Sequence, residues 1–335
     1  MSRFLKPGLL ALGLAAAIAA PASAQQNYLL ATASTGGTYY PVGVAIATLT
    51  KVKIQPKHGS GMSAINSAGS GENIKLIRDG EAQFAILQGL FGAYAWNGAG
   101  PIAAAGKQTH LRAVTMLWQN VEQYVIAAKY AKTGTLADLQ DIKGMAVAMG
   151  KKNSGTIGSN RTIFANLGLD LDNDFTQLHA GYGPSAAALQ DGRVVAIGTP
   201  AGVPTGAITK LLAAAGQRVT PLNITPAQAE QADGGLNLWT PYTIKAGSYP
   251  GQRDDWRTIA QPNFLATHKD VDESFVYLLI KIFYENLLFF NAIHKATTVM
   301  ALDQALAGLP APLHPGAARY YREAGLDIPQ HLIAG

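Results

Sequence analysis

Apolar runs of four to eight residues, partly β-branched, recur along this chain, each followed by a Gly- and Ser-rich turn and then by a helical spacing of apolar positions. Such a succession predicts parallel α/β units. Residues 27–33 read as a buried strand, Ser34 to Thr38 as a turn, and 40–50 as a helix with Pro41 in its first turn. Further strands are expected at 82–87, 111–117, 145–149 and 194–198, and helices at 72–79, 156–167 and 184–191. Gly80 and Gly192 stand where a left-handed residue closes a helix. The 272–291 stretch is apolar on nearly every face, but Lys281, Glu285 and Asn286 interrupt it, so it reads as a buried core helix rather than a membrane span. Segments 111–125 and 258–267 are the expected crossings between two lobes. The first lobe is then discontinuous, 25–119 and 259–335, with 120–258 inserted as the second.

The N-terminus changes the picture. Arg3 and Lys6 precede an apolar stretch from Gly8 to Ala20, and Pro21-Ala22-Ser23-Ala24 supplies the small residues that a signal peptidase reads. The stretch is shorter than the roughly 20 residues that a membrane anchor needs. Export with cleavage after Ala24, into the periplasm, is the expectation. The chain has no cysteine, so disulfides, thiol nucleophiles and thiolate metal sites are excluded and core burial must stabilise the fold. A hydrophobic share of 48% suffices for that. The formal charge is +5, and no run of Lys and Arg marks a nucleic-acid surface.

Familiar catalytic patterns fail one by one. No serine has the G-x-S-x-G spacing of a nucleophile elbow. Gly144 to Lys151 has one residue too many for a phosphate-binding loop, and Lys152 stands where Ser or Thr belongs. Asp170, Asp172 and Asp174 begin like a calcium loop, but Phe175 and Gly181 occupy the required glycine and glutamate positions, which leaves a solvated turn. The histidines are scattered, with no H-E-x-x-H pair. The reading is of a protein that is not an enzyme and uses no cofactor or metal.

What recurs instead is a set of polar, glycine-rich turns that enter helices, at 34–38, 67–71, 153–156, 181–185 and 198–202. Helix N-termini offer unpaired N–H groups and partial positive charge, and glycine lets a ligand approach the backbone, so such turns suit carboxylates. In an open α/β sheet they gather at the carboxyl ends of the strands. Capping and turn formation explain any single one of them better, and it is their recurrence that favours binding. Tyr39 and Tyr40 offer hydroxyls or core packing, and Lys151, Lys152 and Arg161 are cations within reach of these turns.

The segment Thr35 to Gly43 resembles the glycine-tyrosine signature that opens the TAXI solute-binding subunits of TRAP transporters. Gly69-Ser70-Gly71-Glu72-Asn73, the strand Gly80 to Gln88, Ser154-Gly155-Thr156, Gly183 to Gly192, Tyr249 to Gln252 and His314 to Tyr321 extend the resemblance over nearly the whole mature chain. It implies a type II periplasmic binding protein, with two α/β lobes, a hinge and a ligand cleft between them. It also implies capture of a small carboxylate, such as glutamate, glutamine or 2-oxoglutarate, and delivery to TRAP membrane permease subunits. The alternative use of the same fold is a periplasmic sensor or adhesive antigen. Thr38 and Tyr39 match the first ligand loop, Ser70 the second, Gln88 the strand end, and Ser154, Gly155 and Thr156 the helix terminus of the second lobe. Tyr182, Ser185 and Thr199 complete the expected ligand set. The closing His-Pro-Gly-Ala segment is expected to be structural, with Pro315 starting the last helix and Tyr320 and Tyr321 packing it.

Overall fold

The computed structural model describes residues 26–333, and the signal read at 1–24 lies outside the described residues. Strands β1 (Gln26–Ala31), β2 (Ser60–Ile65) and β3 (Phe84–Gln88) run parallel. They are joined through helices α1 (Tyr39–Lys53), α2 (Gln55–His58) and α3 (Ser70–Arg78), and α4 (Gly89–Asn97) leaves the end of β3. The long strand β4 (Leu111–Val121) then leads within a few residues into β5 (Tyr124–Ala127), which belongs to a different sheet. There β6 (Ala146–Ala148), α5 (Gly155–Asn166), β7 (Thr176–Gln177), α6 (Tyr182–Gln190), β8 (Ala196–Gly198), α7 (Gly206–Ala215), β9 (Val219–Pro221) and α8 (Pro226–Asp233) alternate. The chain returns through β10 (Thr240–Ile244) and β11 (Trp256–His268), and α9 (Glu273–Glu285), α10 (Leu287–Ile293) and α11 (Pro315–Glu323) finish it.

The first sheet has the order β2-β1-β3-β11-β4, and β10 continues along β11 past the end of β3. The second has the order β7-β6-β8-β5-β9. In each sheet the strand that arrives from the other one, β11 or β5, is inserted antiparallel between parallel neighbours and a last edge strand. This is the two-lobed α/β architecture of type II periplasmic binding proteins. β10 lies in the 120–258 segment but pairs at the first sheet's edge. Its Ile244 packs with Tyr249, Trp256, Val125 and Ile208 in the smaller apolar core. The larger core runs unbroken from Leu30, Phe84 and Phe264 of the first sheet to Val147 of the second and Phe164 of α5.

Gly80 and Gly192 both have a φ of 73°, as expected of helix-closing residues. Four strands escape the apolar pattern, β2, β10 and the short β7 and β9. β2 carries Ser60, Gly61 and Ser63 and pairs only with β1, while β10 tolerates Pro241 because it is an edge strand. The expected single core helix over 272–291 is corrected to two helices bent by 70°. Asn286 turns its side-chain amide back onto the Ile282 carbonyl (2.7 Å) at the break. Helix α9 buries Phe275, Val276, Leu279, Ile280 and Phe283, but α10 buries only Phe290 and leaves Leu288 84% exposed. Among the described residues no single helix is long and apolar enough to cross a membrane. At the end of the chain His314 caps α11 by accepting from Gly316 N, Pro315 starts it, and buried Tyr321 donates to the Val114 carbonyl.

Candidate functional site

Four parallel strands, β1, β2, β6 and β7, end in turns that enter helices, and the two sheets point these carboxyl ends at one another. Thr38 precedes α1, Gly69 precedes α3, Ser154 precedes α5 and Gly181 precedes α6. Gly69 has a φ of 118°, open to glycine and costly for other residues. Ser154 caps α5 through its Oγ, which accepts from Ile157 N at 3.1 Å. The remaining first-turn N–H groups of these helices have no intrahelical acceptor, so four partial positive charges face a common space.

That space is a small cavity between the loops of the two sheets. Thr38, Tyr39, Ser70, Ser154, Gly155, Thr156 and Tyr182 line it. Ser34, Gly37, Asn120, Lys151, Pro200 and Ala201 complete most of its wall. Lys151 is the one charged side chain among the lining residues, and no acidic side chain lines the cavity. The hydroxyls are held in place. Tyr182 donates to the Pro200 carbonyl and therefore accepts from Thr156 Oγ1 (2.8 Å), while Tyr39 donates to Asn263 Oδ1. Burial pushes both phenols up from their ordinary range, so they are neutral donors and acceptors throughout the physiological range.

The other candidate residues lie off the cavity wall. Gln88 is buried beneath its floor, where Nε2 donates to the Gly155 carbonyl (3.1 Å) and to Ser159 Oγ (2.9 Å). Ser185 Oγ turns to the Ala180 carbonyl, and Thr199 bonds the Gln123 carbonyl. Arg161 is engaged by Asp172 through two bonds of 2.8 and 2.9 Å on the outer side of α5. Asp170 closes its own turn by accepting from the backbone of Asp172 and Asn173. Asn120 was missed because it sits in a strand that reads as a crossing. The run Gln119-Asn120-Val121-Glu122-Gln123, polar inside an otherwise apolar crossing, was the available signal.

Several bonds hold the two sheets' loops together around the cavity. Glu72 N donates to Asn153 O (2.9 Å), Ala207 N to Gly36 O (3.2 Å) and Thr38 Oγ1 to Gly202 O (3.0 Å). Side-chain packing closes the seam further along, where Phe91 of α4 lies on Gly158 of α5.

Two α/β lobes with these strand orders, joined by exchanged strands and enclosing a cavity at their facing carboxyl ends, define the class of two-lobed periplasmic binding proteins. Residues 30–325 match the NMT1-like family, and the chain belongs to that family. Among solved structures it is similar to MatC from Rhodopseudomonas palustris with bound malate, at 14% identity and a TM-score of 0.56, over 89% of this chain and 98% of that one. The periplasmic binding protein BugD is similar at 13% identity and a TM-score of 0.53, over 90% and 94%. A binding component of an ABC phosphonate transporter from Pseudomonas aeruginosa follows at 13% and 0.50, over 80% and 78%. At these identities the likeness is one of fold.

Proposed function

We propose that this protein is an extracytoplasmic solute-binding subunit of the TAXI type, exported by its 1–24 leader, which captures a small carboxylate and delivers it to a TRAP membrane permease. Lobes 25–119 with 259–335 and 120–258 would close on the ligand about the crossings at β4–β5 and β11. The observation that carries this reading is the convergence of four helix N-termini and Lys151 on one cavity that no acidic side chain lines. Helix N–H groups and the Ser70 hydroxyl bind the carboxylate, Thr38 and Thr156, whose hydroxyl protons go to Gly202 and Tyr182, shape the wall around it, and Tyr39 and Tyr182 exclude water. Glutamate, glutamine, 2-oxoglutarate and related organic acids are the candidates that the resemblance implies.

The test is a thermal melt of the mature chain against a panel of small acids and their uncharged amides. A cognate acid at about 100 times its Kd adds about 2.7 kcal/mol, a rise of several degrees in Tm. Lys151→Met is expected to weaken that acid roughly tenfold, because a charge-assisted contact is lost. Equal shifts with acids and amides, or no shift with any acid, would overturn the proposal.

A further inference from the structure

Asn120 stands near the end of β4 in the cavity wall, 1% exposed. Its amide orientation is dictated by a relay pinned to two backbone groups. Leu90 N donates to Gln261 Oε1 (2.9 Å), so Gln261 presents Nε2 to Ser159 Oγ (3.0 Å). The Gly155 carbonyl accepts from Gln88 Nε2, so Gln88 presents its Oε1 at the other end. Only a donor satisfies that oxygen, and Asn120 Nδ2 supplies it at 3.3 Å. Asn120 Oδ1 is thereby left as an acceptor, buried and without a protein partner. Elsewhere the wall is rich in donors, namely helix N–H groups and the Lys151 ammonium.

Building on the carboxylate reading, but narrowing it away from the glutamate, glutamine and 2-oxoglutarate that the resemblance implies, we propose that Asn120 makes the site selective for 2-hydroxy acids, whose hydroxyl donates to Oδ1 while the carboxylate faces the helix N-termini and Lys151. A 2-deoxy acid leaves Oδ1 unpaired, and a 2-oxo acid sets one acceptor against another. A 2-amino acid brings a donor, but its ammonium enters a cavity that already holds Lys151 and that no acidic side chain lines. A site built around a buried polar group rejects analogues that cannot pair with it far more strongly than it rejects a change of size.

The experiment is calorimetry with two matched series: lactate, propionate, pyruvate and alanine, then 2-hydroxyglutarate, glutarate, 2-oxoglutarate and glutamate. In at least one series the hydroxy acid is expected to bind about tenfold or more tightly than each analogue. Asn120→Leu should bring the hydroxy-to-deoxy ratio to within about threefold, and Asn120→Asp should move the preference toward the amino acid. Equal affinities across both series in the unaltered protein overturn this proposal and leave the carboxylate reading standing. So does a hydroxy preference that survives in a folded Asn120→Leu chain. Failure of every acid to bind overturns both.

Discussion

Gly158→Ala is expected to weaken ligand binding by about tenfold or more, although alanine is the better helix former and the site is inside α5. A Cβ at this position would lie 2.3 and 2.5 Å from ring carbons of Phe91 on α4. The ring is 3% exposed and edge-packed on Tyr94, whose hydroxyl meets Thr162 of α5 at 3.2 Å, so moving it disturbs a second contact between the two helices. Overpacking of this kind costs about 1–3 kcal/mol. On the hinge reading the cost falls on the closed arrangement alone, because opening separates α4 from α5. Each 1.4 kcal/mol then lowers the closed population, and with it the apparent affinity, about tenfold. Calorimetry measures the affinity, and small-angle scattering is expected to report a larger radius of gyration in the variant. Phe91→Ala in the same chain removes the obstructing ring and should recover much of the loss. Wild-type affinity in Gly158→Ala would mean that this seam is not the closing surface.

The same seam explains what was legible in the sequence. Strands with both faces covered, such as β3 and β4, announce themselves because their positions are mostly apolar, and the helices that follow glycine turns show their starts and stops. β2 and β10 are edge strands whose stability comes from pairing rather than from their own side chains, and their residues carry little of that signal. The break at Asn286 was marked by a polar residue in an apolar run, but only packing decides whether such a residue interrupts a helix or merely faces water.

For the cavity, the glycine-rich turns at 34–38, 67–71, 153–156 and 181–185 were visible as a class, since each must cap a helix. Their meeting point was not, because it depends on how two sheets face each other across the crossings. Gln88 shows the limit of the resemblance. Its side chain connects Ser159, Gly155 and Asn120 under the cavity floor, a supporting place that strand position alone does not separate from a lining one. Buried polar residues in the crossing, Asn120 among them, carry chemistry that an apolar pattern hides.

Glu122 follows from the same crossing. It lies just past β4, with its backbone bonded to Ile259 and Thr258 of β11, and it is fully buried. Oε1 accepts from Trp239 Nε1 (3.1 Å), while Oε2 has no protein partner. Burial pushes the carboxyl up to about 7, against the opposing pull of the hydrogen bond from Trp239. The folded state therefore keeps a proton that the unfolded chain releases near 4.5, and folding stability falls as pH rises between those values. At 1.36 kcal/mol per unit the fall amounts to about 3 kcal/mol, complete once the folded group ionises. His110, His294 and His314 act in the opposite direction in part of this window. Burial holds their pKa values below the usual histidine range, so their contribution is lost as pH falls. The quantity to measure is thus the difference between the unaltered protein and Glu122→Gln, which keeps an acceptor for Trp239 and removes the titration. In urea unfolding the variant's stability relative to the unaltered protein is expected to rise by about 3 kcal/mol from pH 4.5 to pH 8, with the steepest change below pH 7. A difference that stays constant across the range would show that Glu122 is ionised in the folded protein throughout, with a compensating cation or water at Oε2.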